Sequence, residues 1–311
     1  MDILVVGAGA IGGYYGGRLA QGGARVSVVA RSDYEAVVQD GIAVESPAGD
    51  FVFRPHRVFR SASEVGAPVD VVLVGLKVLP QIPVVDLIRP AVGPSTAILL
   101  IQNGVGIERP VAEAFPHNEI ISALAFICVS RSGPGRVCHQ DYGRIVIGRY
   151  PQGTSRTAEA LADLLQKAGV PCQVSTDVVT DRWQKLVWNA PFNPISVLSG
   201  GASTREMLES EEMTRLVRAV MEEVCAVASA AGRALADDVV DRMIADTRKM
   251  TPYKTSMLLD YEAGRPMEVE AILGNAVRMA RDLAVPVPHM ETLYALLGAL
   301  EQRNPPRASR S

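Results

Sequence analysis

The chain opens on a short apolar run, Asp2 to Val6 (DILVV), that ends in glycines. Arg25 to Ala30 (RVSVVA), Val69 to Val74 (VDVVLV) and Thr96 to Ile101 (TAILLI) repeat that character, with helix-length stretches between runs. Short β-branched runs without strict alternation predict strands buried on both faces, as in a parallel sheet covered by helices. Later runs at Glu119–Cys128, Arg136–His139 and Arg144–Gly148 predict further strands, with Ser132-Gly133-Pro134-Gly135 as a turn. Leu161–Ala168 reads as a helix and Pro171–Ser175 as a last strand.

The pattern changes near Thr176. From Asp177 to Leu300 long stretches suit helices rather than strands. Glu209–Ala231 carries Met213, Leu216, Val217, Val220, Val224 and Val227 at three- and four-residue spacings, the stripe of an amphipathic helix. Gly232 stands where a helix C-cap belongs. Val269–Leu283 and Met290–Leu300 read as similar helices. The predicted organisation is therefore a sheet-based domain over residues 1–175 and an all-α domain over residues 176–311. The tail from Arg303 to Ser311, rich in Pro, Arg and Ser, is expected to fray.

Composition narrows the function. The 311 residues are enough for two domains, and 48% hydrophobic with 21% charged residues allows a core without metal or disulfide staples. With a net charge of −3 and no basic stripe, no nucleic-acid partner is expected. The four cysteines, Cys128, Cys138, Cys172 and Cys225, fit no metal-ligand spacing, so free thiols in a reducing compartment and no bound metal are expected. Because the first strand begins at residue 2, no signal peptide is expected ahead of it. No run approaches the ~18 apolar residues of a membrane span, so a cytoplasmic protein with no membrane partner is expected.

The glycines after the first strand form Gly7-Ala8-Gly9-Ala10-Ile11-Gly12, a GxGxxG that follows a strand and opens a helix. That context makes it a dinucleotide fingerprint. Gly7 permits the tight turn, Gly9 lets the backbone approach a pyrophosphate, and Gly12 lets the helix pack on the strand. The expected fold class is thus α/β, an N-terminal Rossmann-type doubly wound sheet. The end of the second strand selects the cofactor. An acid there would bind an adenosine ribose hydroxyl, whereas this chain has Ala30-Arg31-Ser32. The planar donor fork of Arg31 suits a 2′-phosphate and predicts NADPH over NADH. Asp33 nearby argues the other way, and spacing also leaves room for a solvated Arg31.

Asp181-Arg182-Trp183-Gln184-Lys185-Leu186-Val187-Trp188-Asn189 leads to Pro191-Phe192-Asn193-Pro194. On a helix, Lys185, Asn189 and Asn193 fall at i, i+4 and i+8 and share one face, each step turning only ~40°. Ketone reduction needs a proton donor at the carbonyl oxygen and donors for the developing oxyanion. Lys185 suits both needs, and the two amides suit substrate orientation. Spacing alone equally allows a snorkelling lysine with capping amides. Pro191 and Pro194 predict a kink or an interruption, because each lacks the amide hydrogen of an interior turn. Gln102-Asn103-Gly104 follows the fourth strand at the edge where doubly wound sheets bind ligands, and Lys77 ends the preceding strand at that edge. Asn103 then faces a nicotinamide or a substrate carboxylate, or is an ordinary turn residue. The mixed segment Ser256-Met257-Leu258-Leu259-Asp260, with Gly264-Arg265 and Glu268, gains no role from spacing.

GAGAIG, LK at the third strand, QNG, PGxVxH, WxKLxxNxxxN and SMxxDxxxGRxxE, in this order along nearly the whole chain, resemble the ketopantoate reductase family. The resemblance implies a Rossmann domain followed by a helical domain like that of 6-phosphogluconate dehydrogenase relatives, with the active site in the cleft between them. It implies reduction of 2-dehydropantoate to pantoate by NADPH, a step toward pantothenate and coenzyme A. By the same resemblance Lys185 is the general acid, and Asn189, Asn193 and Ser256 bind the substrate, a small 2-keto acid. Asn103, Lys77 and Glu268 contact cofactor and substrate, Arg31 meets the 2′-phosphate, and a homodimer through the helical domain is possible. The chain departs from the family pattern at Trp188, at Ala190-Pro191-Phe192, at Gln140-Asp141-Tyr142 and at Met267-Glu268-Val269-Glu270. These neighbours shape pockets, so a reductase of a bulkier 2-keto acid, suggested by Trp188 and Phe192, is the near alternative. A non-enzymatic NADPH-sensing regulator is the distant one, disfavoured by the intact Lys185, Asn189, Asn193 and Glu268.

Overall fold

A computed structural model describes residues 1–303. Arg303 ends a helix, and the rest of the tail expected to fray lies outside the described residues. The chain forms two compact units. The first comprises residues 1–77, 81–102 and 107–178; the second takes Val78–Pro80, Asn103–Gly106 and the chain from Val179 onward.

The first unit is built on one ten-stranded sheet. Its strands are β1 (Asp2–Val6), β2 (Arg25–Val29), β3 (Ile42–Glu45), β4 (Phe51–Phe53), β5 (Val58–Phe59), β6 (Val71–Val74), β7 (Ala97–Ile101), β8 (Ile120–Gly133), β9 (Arg136–Arg149) and β10 (Cys172–Ser175). They lie in the order β4-β3-β9-β8-β7-β6-β1-β2-β5, with β10 also on β9. From β5 through β8 every pairing is parallel, and the order reverses at β1, which has β2 on one side and β6 on the other. That reversal is the switch point of a doubly wound sheet, so the loop after β1 sits where such sheets bind nucleotides. Every residue of β6 and β7 is buried, as their unbroken apolar runs predict. Helices α1 (Ala10–Gln21), α2 (Tyr34–Asp40), α3 (Val84–Ile88), α4 (Arg109–Ala114) and α5 (Arg156–Lys167) fill the connections.

Two predicted strands, Arg136–His139 and Arg144–Gly148, are one. The polar Gln140-Asp141-Tyr142-Gly143 stretch is a bulge inside β9, where its pairing with β8 slips register. Tyr142 (φ 61°) and Gly143 (φ 122°) adopt left-handed backbone there. The His139 Nε2 lies 3.0 Å and 3.1 Å from the Asp141 and Tyr142 carbonyls, so a side chain holds the bulge where the ladder lapses.

The second unit is helical: α6 (Val178–Leu198), α7 (Thr204–Glu209), α8 (Glu211–Ala230), α9 (Val239–Lys249), α10 (Ser256–Glu262), α11 (Asn275–Asp282) and α12 (Pro288–Arg303). The predicted helix Glu209–Ala231 is broken at Ser210, whose extended backbone (ψ 126°) and side chain, accepting from the Met213 amide, make it the N-cap of α8. Gly232 follows α8 with φ 74°, its N–H bonded to Ser229 and that of Arg233 to Ala228, closing the helix as expected. The predicted helix Val269–Leu283 opens with a π-helical turn, Glu270–Gly274. Helix α6 runs uninterrupted through Pro191 and Pro194. Leu186, Val187, Ala190, Phe192 and Ile195 bury its apolar side in the core of this unit, which outweighs the two missing backbone bonds.

None of the four cysteines forms a disulfide. Burial pushes the Cys172 thiol up to about 12 and that of Cys225 up to about 11, so both stay protonated and unreactive at neutral pH. Among the described residues no helix is long and apolar enough to cross a membrane, and no cluster of His, Cys, Asp and Glu is arranged to hold a metal ion.

Glu223 of α8 ties α12 in place. Its carboxylate accepts from the amides of His289 (2.9 Å) and Met290 (2.8 Å) and lies 2.6 Å from the His289 Nδ1. Substituting Glu223→Ala leaves those first-turn amides without acceptors, at a cost of about 2–4 kcal/mol. Urea unfolding measures it, and a loss below about 1 kcal/mol would show that water replaces the carboxylate.

Candidate active site

The glycine loop sits between β1 and α1, and its glycines answer two different demands. Gly7 has φ 95°, and a side chain at Gly12 would bring its Cβ within 2.1 Å of the Gly7 carbonyl. Gly75, at the end of β6, presses on the same loop, its hypothetical Cβ 2.9 Å from the Gly12 Cα. These three are required by the fold itself. Gly9 is not: a Cβ there meets nothing within 4 Å. No side chain caps the N-terminus of α1 at Gly9 either. A backbone that keeps glycine where its own packing does not require it, beside an uncapped helix start, fits a phosphate group drawn close to the amides. Ala8, Ala10 and Ile11 complete the half-buried turn.

Beyond β2, Arg31 is exposed. Asp33, the acid that argued against a 2′-phosphate, is buried and turned inward. It forms an ion pair with Arg131 and accepts from the Gly135 amide (3.1 Å) and the Ser32 hydroxyl (2.9 Å). Its carboxylate belongs to the β8–β9 hairpin.

In the second unit, α6 presents Lys185, Asn189 and Asn193 on one face, because the helix is continuous across all three. The Lys185 Nζ donates to the Asn103 Oδ1 at 2.9 Å. The Asn103 Nδ2 donates to the Glu268 Oε2 at 3.3 Å, and the Glu268 Oε1 accepts from the Val78 amide at 2.9 Å. Lysine, amide and carboxylate therefore form one chain, drawn from α6, the segment after β7 and the segment before the π-helical turn. Gly104 makes this close approach possible. Its φ is 94°, and a Cβ would fall 2.2 Å from the Ala271 carbonyl.

Asn193 is 3% exposed, and its Oδ1 is buried with no hydrogen-bond partner. A buried unsatisfied amide oxygen is costly unless a ligand supplies a donor. The Asn193 carbonyl accepts from Ser196 (2.8 Å), whose hydroxyl lies 2.7 Å from that of Thr255. Thr255 in turn caps α10, accepting from the Leu258 amide. Since Ser196 donates to Asn193, Thr255 donates to Ser196, and this buried chain fixes the start of α10 against α6. Ser256 is the first residue of α10 and is exposed. Phe192 is wholly buried and stacks on Trp188 with ring centroids 4.8 Å apart, while the Trp188 indole donates to Thr247. These two aromatics serve the core of the helical unit.

The structure thus joins Lys185, Asn103 and Glu268 by hydrogen bonds and sets Asn189 and Asn193 on the same helix face. The glycine loop, Arg31 and Lys77 belong to the first unit. Sequence reasoning gave no role to Gln102, which is buried and donates to the Leu76 carbonyl at 2.8 Å, holding the backbone just before Lys77. It also gave none to the Val78 amide. Only the order QNG after a strand hinted at the first, and a backbone donor leaves no mark in a sequence.

Known proteins match this chain along nearly its whole length. The model of the ketopantoate reductase family (PanE/ApbA) matches residues 3–152, and that of its C-terminal region matches residues 177–301. The crystal structure of 2-dehydropantoate 2-reductase from Methylococcus capsulatus superposes with a TM-score of 0.94 at 50% identity, over 100% of this chain and 99% of that one. That of 2-dehydropantoate 2-reductase from Geobacter metallireducens gives 0.90 at 38% identity, over 96% and 100%. The 2-dehydropantoate 2-reductase of Nostoc sp. is 38% identical over 305 residues, 96% of this chain and 95% of its own length.

The close approach at Gly104 is testable. In Gly104→Ala the added Cβ collides with backbone at a positive φ, so the segment has to move and the Lys185–Asn103 bond is lost. Turnover is expected to fall by ~100-fold while the melting temperature drops by only a few degrees. Unchanged turnover would show that the segment adapts.

Proposed function

This chain belongs to the ketopantoate reductase family of oxidoreductases, and from that premise we propose that it reduces 2-dehydropantoate to pantoate with NADPH. The observation that carries the proposal is the hydrogen-bonded chain Lys185–Asn103–Glu268, a donor lysine held in place by neutral and acidic partners rather than left to solvent.

NADPH supplies the hydride that adds to the keto carbon. The residues of the glycine loop fit its pyrophosphate, and Arg31 fits its 2′-phosphate, since the acid that would repel that group is engaged with Arg131 and Gly135. Lys77 is assigned to contact with cofactor and substrate, by the resemblance of its motif. Lys185 donates the proton from its Nζ to the keto oxygen, and its charge stabilises the oxyanion as it forms. Asn103 orients that ammonium through its Oδ1. Glu268 holds the other end of the Asn103 amide, and it is assigned to the substrate by the resemblance of its motif. Asn193 supports a substrate with a hydroxyl group: its buried Oδ1 has no partner within the protein and would accept from an alcohol, and 2-dehydropantoate carries one besides its keto acid. Asn189 and Ser256 are assigned to the remaining polar atoms of the acid. Pantoate made in this way feeds pantothenate and coenzyme A synthesis. The domains act as an NADPH-binding half over residues 1–175 and a catalytic half over the rest.

Two experiments test this. Purified protein is expected to oxidise NADPH with 2-dehydropantoate well above other 2-keto acids, and Lys185→Ala to lower kcat by ~100- to 10,000-fold. Preference for a bulky acid, or turnover surviving in the variant, would sink the assignment. Arg31→Ala is expected to raise KM for NADPH by ~10- to 100-fold with little change for NADH. Equal effects on the two cofactors would mean that Arg31 does not read the 2′-phosphate.

A further inference from the structure

The four residues Asn103–Gly106 have no regular secondary structure, and two of them, Gly104 and Gly106, have positive φ (94° and 70°). A segment of this kind has no ladder of its own to fix it, yet its first side chain holds both ends of the Lys185–Glu268 chain. Something outside it has to set its position. Two side chains do so, at consecutive peptide units. Arg182, 3% exposed and one turn before Lys185 on α6, donates from its Nη1 to the Gly104 carbonyl at 3.0 Å. Asn275, the first residue of α11, donates from its Nδ2 to the Val105 carbonyl at 2.9 Å.

The Asn275 amide is itself oriented. Its Oδ1 accepts from the Arg278 Nη2 (2.7 Å), while the Arg278 Nη1 donates to the Glu270 Oε2 (2.7 Å) and the Tyr294 hydroxyl to the Glu270 Oε1 (2.5 Å). With its oxygen taken by a guanidinium, the amide has its nitrogen facing Val105. The π-helical turn places Glu270 in this network two residues after Glu268. Tyr294, Glu270, Arg278 and Asn275 form a continuous run of hydrogen bonds that ends on the backbone two residues from Asn103.

We infer that Arg182 and Asn275 are positioning residues for the reaction: by holding the carbonyls of Gly104 and Val105 they fix the Asn103 amide against Lys185 and Glu268. The inference rests on the reaction proposed above. Neither residue touches substrate or cofactor in this assignment; both act through Asn103. A displacement of about 1 Å at a catalytic group costs up to ~100-fold in rate, so the hold on two carbonyls has a kinetic consequence out of proportion to its contribution to stability.

The test compares Asn275→Asp, Asn275→Ala and Arg182→Lys with the wild-type protein. Aspartate keeps an oxygen for Arg278 and loses the N–H for Val105, so it separates a hold on the segment from a general structural role. Amide hydrogen exchange is measured over residues 102–107, together with kcat and KM for NADPH and the keto acid. Both Asn275 variants are expected to exchange ~10-fold faster in that segment and to lose ~10- to 100-fold in kcat. Arg182→Lys, which retains one donor for Gly104, is expected to keep most of the turnover. If Asn275→Asp exchanges and turns over like wild type, the inference is overturned, because the residue then acts only through Arg278. Faster exchange with unchanged kcat overturns it as well. A wild-type protein inactive toward 2-dehydropantoate would instead refute the reaction, and the exchange data would still decide whether Asn275 holds the segment.

Discussion

The side-chain amide of Asn103 has a direction, and the helical unit is arranged around it. An ammonium group only donates hydrogen bonds and an ionised carboxylate only accepts them, so an amide between Lys185 and Glu268 has one acceptable orientation, oxygen to lysine and nitrogen to glutamate. No other side chain of that size offers both poles at once: aspartate would set two carboxylates face to face, and leucine would offer nothing to either neighbour. Keeping the amide there requires Gly104 in a left-handed conformation with the Ala271 carbonyl against it, and a helix long enough to carry Lys185, Asn189 and Asn193 on one face. The core side of α6 meets the second requirement by burying enough apolar surface to run through two prolines.

Much of this was legible in the sequence, for identifiable reasons. The parallel strands β6 and β7 are continuous apolar runs, and β1 is one after Asp2, which can be read because both faces are covered. GxGxxG could be read because its context, strand then helix, is local. The lysine and two asparagines of α6 could be read because helical periodicity is regular. What escaped was short or non-local. β3, β4 and β5 have four, three and two residues, too few to show a period. The bulge in β9 split one strand into two predicted ones, since polar Gln140-Asp141-Tyr142-Gly143 interrupts the apolar pattern and only its pairing with β8 reveals the strand. Ser210 looked like part of a helix because one polar residue among charged neighbours leaves the apolar stripe intact. In the candidate site, the residues with roles were found largely through family motifs, while Gln102 and the Val78 amide act on partners that no local pattern links to them.

The glycines of the first unit illustrate how packing separates structural from ligand-directed residues. Gly7, Gly12 and Gly75 crowd together so closely that a methyl group on any of them meets backbone or a neighbouring side chain below 3 Å. Their conservation of space belongs to the crossing of α1 over the sheet edge. Gly9 stands in the same loop with open space beside it, and packing alone does not require glycine there. Buried side-chain satisfaction makes a parallel distinction in the second unit. Ser196 and Thr255 satisfy each other and close the start of α10, whereas the Asn193 Oδ1 is buried without a hydrogen-bond partner.

Asp33 carries a consequence for altering cofactor choice. Engineers who wish to move a dinucleotide enzyme from one nicotinamide to the other usually rewrite the few residues after the second strand as though they were a surface loop. Here that loop is a joint: the carboxylate of Asp33 bonds the tip of a long hairpin through Arg131 and Gly135, 98 and 102 residues further along the chain. Turning that acid outward toward a ribose would unfasten the hairpin tip, so a graft at residues 31–33 has to bring a substitute anchor for Arg131. A change at Asp33 is therefore also a change to the anchor of the hairpin.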